Sequence, residues 1–177
     1  LSATSSTEGL RVGSPIDLRQ FDLDSTSGLN MAMNTLLEQE PEILWISITG
    51  APWTSSTESH NDQRNHEHRK RDMSMIAFCL KMAIHQLSSG RYVIFENPLK
   101  SALWSLPAMR SFQKSHPLTS HSVDLALFGL DEELNRKVSD RSLRLLTNIP
   151  EGMLAPLFVH CEIKGSRQLG KKPGIPR

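Results

Sequence analysis

Two uninterrupted apolar runs constrain this chain most. They are "EILWISI" at residues 42–48 and "RYVIFE" at residues 91–96. A strand with one wet face alternates polar and apolar residues, and a strand buried on both faces does not. Between the runs lies "DQRNHEHRKRDMSMIAFCLKMAIHQLSSG". Its second half places Met75, Phe78, Cys79, Met82 and Leu87 at helical spacing, and Gly90 supplies a C-terminal stop. Strand, long helix, strand is the pattern of a parallel crossover, and such crossovers are right-handed. An α/β sandwich is therefore expected.

The flanks extend that pattern. "STSGLNMAMNTLLEQEP" reads as a helix capped by Ser25 or Ser27, with Leu29, Met33, Leu36 and Leu37 on one face and Pro41 as the stop. Ahead of it, "SPIDLRQFDLDS" reads as an edge of sheet feeding an Asp-rich turn. "PLKSALWSLPAMRSFQK" is a Pro-interrupted helical segment. "SVDLALFGL" and "LRLLTNI" read as two strands that can form an antiparallel hairpin at one edge. "APLFVHCEI" is a last strand or helix. The 177 residues suit one domain. It is expected to span residues 1–163, with 1–10 frayed and 164–177 a basic flexible tail. The chain starts at Leu1 rather than Met, so an N-terminally truncated fragment is expected, with any upstream signal left open.

Composition removes several function classes. A formal net charge of +1 gives no global field toward nucleic acid or a membrane. No apolar run reaches membrane-spanning length, and the sparse cysteines fit a reducing, intracellular compartment. Cys79 and Cys161 form no CxxC or Cys/His ladder, so no zinc module is expected. No GxGxxG, P-loop or GxSxG motif occurs. Ser and His are plentiful, but no spacing argues for a triad. His66 and His68 are two apart on a helix and so do not face one another. His160 and Glu162 could share a strand face but lack partner ligands. His85, His116 and His121 read as surface or packing residues. No metal is expected.

Ligands of open α/β sheets bind beyond the C-terminal strand ends. Two segments fall there. One is the loop "SITGAPWTSS", with Gly50, Ala51, Pro52 and Trp53. Its two readings are a ligand-facing loop and a plain βα turn. The other is Glu96-Asn97-Pro98, where Pro98 holds Asn97 extended. Glu96 reads either as an acid, base or acceptor, or as a surface residue ahead of a helix cap. The basic stretch containing Arg64, Arg69, Lys70 and Arg71 offers a nucleic-acid contact or a solvated helix face.

In order, "IDLRQFDL", "EILWIS", "ITGAPWTSS", "GRYVIFENPLKSALW", "SVDLALFGL" and "RLLTNIP" resemble the cytosine-C5 methyltransferase-like domains of retroelement-type polyproteins, over about residues 9–163. The resemblance implies a class I S-adenosylmethionine-dependent methyltransferase fold. That is a Rossmann-like three-layer sandwich with a mostly parallel sheet and an antiparallel strand near one edge. It also implies that a loop cysteine attacks C6 of a flipped-out cytosine while the Glu of the Glu-Asn-Pro motif contacts the base. Here the cysteine position falls on Ala51, and Glu96 is retained. The Gly-rich cofactor loop of the family falls ahead of the sequence. Asp17 and Asp22 are the residues left for a cofactor contact.

The resulting expectation is a non-catalytic methyltransferase-like domain, a retroelement-derived remnant that scaffolds or weakly contacts DNA or RNA and binds no cofactor. One alternative is an active S-adenosylmethionine-dependent enzyme that needs no Cys, with its cofactor loop outside this chain. Another is an unrelated hydrolase or nuclease using Glu96 with Asp17 or Asp22.

Overall fold

The computed structural model describes residues 11–17, 20–48, 53, 62–124 and 142–154. Four strands form one sheet: β1 (Ile43–Ser47), β2 (Tyr92–Pro98), β3 (Thr119–Asp124) and β4 (Ser142–Thr147). Their order is β1-β2-β4-β3. β1 and β2 are parallel, and β4 is antiparallel to both β2 and β3. Three strands thus run one way, and the single reversed strand, β4, lies second from the edge. The chain is a mixed α/β protein with an open sheet.

Three helices are α1 (Thr26–Gln39), α2 (Asp62–Ser88) and α3 (Pro107–Ser115), with a 3-10 turn at Ala102–Ser105, and residues 151–154 add a helical segment. Ser25 caps α1 by accepting a hydrogen bond from the Gly28 N–H at 3.0 Å. Gly28, Ala32 and Leu36 form its buried stripe, four residues apart. Leu29 and Met33 flank that stripe, as expected. Leu37 does not: one residue turns the helix by about 100°, and Leu37 is exposed. Pro107 opens α3 at a position where its fixed φ and missing N–H are harmless. Phe112 of α3 packs edge-on against Phe95 of β2, with ring centroids 5.6 Å apart.

All three helices share one core with Ile46, Ile48, Val93, Phe95 and Leu146. These strand residues have one parity, so the helices cover one face of the sheet. The other face carries a smaller cluster of Ile94, Val123, Leu145, Ile149 and Leu154. The helical residues 151–154 meet this second face through Leu154. β2 is buried on both faces, as its sequence predicts. β1 is not. Ile43 and Trp45 are 47% and 43% exposed. Their run is apolar throughout, yet β1 lies at one edge of the described sheet and only Leu44, Ile46 and Ile48 meet the helices.

Two further expectations shift. Residues 11–17 form no strand; the Asp17 carbonyl accepts from the Gln20 and Phe21 N–H groups in a turn. β3 starts at Thr119, ahead of "SVDLALFGL", and residues 125–141 lie outside the described ones. The antiparallel partnership of β3 with β4 at one edge is present. No described helix is long and apolar enough to cross a membrane.

Candidate functional site

The parallel register sets Ser47 beside Glu96. The chain leaving β1 at Ile48 and the Asn97-Pro98 step ending β2 therefore start side by side, at the C-terminal rim of the parallel pair. Asn97 joins them. Its Nδ2 donates to the Ile48 carbonyl at 2.7 Å, and the residue is buried. Its Oδ1 is buried without a partner. The Pro98 carbonyl accepts from the Ser101 N–H and the Trp104 indole N–H, each at 2.9 Å. Ser101 in turn caps the 3-10 turn through the Leu103 N–H. The Asn97 amide nitrogen and the Pro98 carbonyl thus have structural uses, and the buried Asn97 oxygen has no partner.

Adjacent residues of a strand face opposite ways. Glu96 therefore stands on the face away from Asn97, where its Oε2 accepts the Trp45 indole N–H at 2.9 Å. Glu96 is half-buried and Trp45 exposed. Trp53 is 2% exposed and donates its indole N–H to the Asp72 carboxylate on α2 at 3.1 Å. It belongs to the core cluster. Gly50, Ala51 and Pro52 lie outside the described residues.

The remaining candidates are scattered. Asp22 accepts the Asp24 N–H through Oδ1 at 3.3 Å in the turn before α1. Glu96 is held by the Trp45 indole on the sheet, while Asp17 and Asp22 lie in the turns that precede α1. Arg64, Arg69, Lys70 and Arg71 fall on α2, where Lys70 is exposed and the other three side chains are outside the description. So are the side chains of His66 and His68, and all of His160, Cys161 and Glu162. His116 sits 2.9 Å from the Phe112 carbonyl and against the Phe112 ring, and His121 bonds Thr119. Among the described residues no cluster could hold a metal.

The "LLTN" segment has a structural explanation. Thr147 Oγ1 donates to the Val93 carbonyl at 2.6 Å. Asn148 Oδ1 accepts the Val93 N–H at 2.8 Å, and its Nδ2 donates to the Arg91 carbonyl at 3.0 Å. The two side chains extend the β2–β4 ladder past its backbone pairing.

Sequence reasoning missed Arg144 on β4. Its Nε donates to Ser120 Oγ at 2.7 Å and its Nη2 to Gln113 Oε1 at 3.1 Å. Its guanidinium lies 4.8 Å from the centre of the Trp104 ring. Partial burial holds its pKa below the ordinary arginine value. The available signal was an arginine inside an apolar strand, between Leu143 and Leu145. Comparison with protein-family models, curated proteins and solved structures finds no match.

Proposed function

We propose that this chain is a methyltransferase-like α/β domain that does not transfer methyl groups, derived from a retroelement-type polyprotein. Its remaining role is scaffolding or a weak contact with DNA or RNA, inside the cell. One observation carries the reading: Glu-Asn-Pro ends a central strand that runs parallel to the strand before "ITGAPW". That is the relation the resemblance requires between its base-contacting Glu and its nucleophile loop. The single reversed strand near the sheet edge also agrees with a Rossmann-like methyltransferase sheet.

The chemistry argues the other way. Ala51 carries a methyl group where the resemblance expects a thiolate, and a methyl group cannot add to cytosine C6. Glu96 already binds the Trp45 indole. Its strand neighbours Phe95 and Asn97 are buried for packing and for holding the loop start. A folded scaffold keeps such residues whether or not it reacts.

The test is a methyl-transfer assay with labelled S-adenosylmethionine and DNA or RNA substrates. No incorporation above a Glu96→Gln control is expected. Incorporation that depends on Glu96 overturns the proposal in favour of an enzyme that works without a cysteine.

A further inference from the structure

We propose that Arg144 forms a binding site for a phosphate group at the C-terminal rim of the sheet. Three observations support it. The first is position. Arg144 pairs with Asn97 across the β2–β4 ladder and with Ser122 across β3–β4. It therefore sits at the strand ends where open α/β sheets bind ligands.

The second is pre-organisation. Ser120 and Gln113 take the Nε and one Nη2 hydrogen, and the Trp104 face supports the plane. A guanidinium has five N–H donors in a fixed fork. With the side edge engaged, the end-on pair of Nη1 and Nη2 hydrogens is left for a ligand. Held this way, the side chain has little rotamer freedom to lose on binding.

The third is charge. Arg91 forms an ion pair with Glu40. Among the described residues Arg144 makes none, and its oriented partners are neutral: a hydroxyl, an amide and a ring. An oxyanion with two oxygens in plane fits the remaining edge, and phosphate is the common ligand of that geometry. Asn97 adds nothing to anion affinity, because its unpaired atom is an acceptor.

The phosphate can belong to a nucleic-acid backbone or to a small phosphorylated molecule. The site does not depend on methyltransferase ancestry, so its failure and that of the functional reading are separate results. Two titrations of the full chain distinguish the sources. One uses inorganic phosphate and follows the arginine side-chain N–H signals by NMR. The other uses a short labelled oligothymidylate strand and follows fluorescence anisotropy over a salt series.

The Arg144 signal is expected to move with phosphate. Arg144→Gln is expected to weaken the responding probe at least about tenfold. If the oligonucleotide responds, its salt slope falls by about one in that variant, and the source is the backbone. If phosphate alone responds, the source is a small molecule. Arg144→Lys keeps the charge and the alkyl stem but loses the fork, so it should weaken binding too, and it serves if the Gln variant melts early. An Arg144 signal unmoved by phosphate, with no change in oligonucleotide anisotropy, overturns the proposal. So does a folded Arg144→Gln or Arg144→Lys variant that binds both probes like the original chain.

Discussion

Asn97 shows how a residue can look chemical and act structurally. Its amide holds the Ile48 carbonyl, and removal leaves a buried acceptor unpaired. Asn97→Ala is expected to lower unfolding free energy by about 1–3 kcal/mol, read from urea denaturation. A variant as stable as the original chain would show that this bond contributes nothing. Cys79 makes a second prediction. Burial pushes its thiol from about 9 up to about 12. The folded state therefore keeps a proton that the unfolded state releases above pH 9. Stability should fall as pH rises from about 9 to about 12, and Cys79→Ala should flatten that slope relative to the original chain. A slope unchanged by the substitution would contradict the burial of the thiol. The proposed role of Ala51 needs no structure to argue, since its side chain has no reactive atom. By contrast, the facing of Glu96 and Asn97 to opposite sides follows from strand parity only because β2 continues to Pro98, past the apolar run "RYVIFE".

At the scale of elements, periodicity located the two parallel strands and the helix between them, because burial of those residues drives the pattern. Punctuation was legible as well. Gly90 closes the α2 connection with φ at 71°, and nothing lies within 4 Å of where a Cβ would stand. Gly90→Ala should therefore destabilise the protein by backbone strain alone, about 1–2 kcal/mol. Gly90→Asn should cost less, as thermal melts of the two variants would show. Equal losses would point to a contact rather than to strain. What periodicity concealed was edge position. "EILWISI" carries the same apolar character as "RYVIFE", yet Ile43 and Trp45 are exposed while Val93, Ile94 and Phe95 are buried. Sequence records side-chain chemistry; which strand ends up central is decided by long-range pairing. Gly28 was hidden for the same reason. A Cβ there would stand 2.0 Å from the Asp22 carbonyl oxygen, a contact made by a turn that sequence alone does not place. Gly28→Ala is expected to cost about 1–3 kcal/mol by overpacking, again by urea denaturation.

For the whole molecule, the order β1-β2-β4-β3 builds a rim where the "ITGAPW" loop leaves β1 next to the Glu-Asn-Pro end of β2. The α/β class and the reversed strand near one edge were legible because connection lengths and strand patterns restrict topology. Arg144 was not, since its significance depends on Ser120, Gln113 and Trp104, which arrive from three other elements. At this rim Asn97, Ser101 and Trp104 serve packing and loop anchoring. The most direct test is calorimetric titration of the full chain with S-adenosylmethionine. A domain that has lost methyl transfer should give no binding heat up to millimolar ligand. Saturable binding at micromolar concentration would contradict the account.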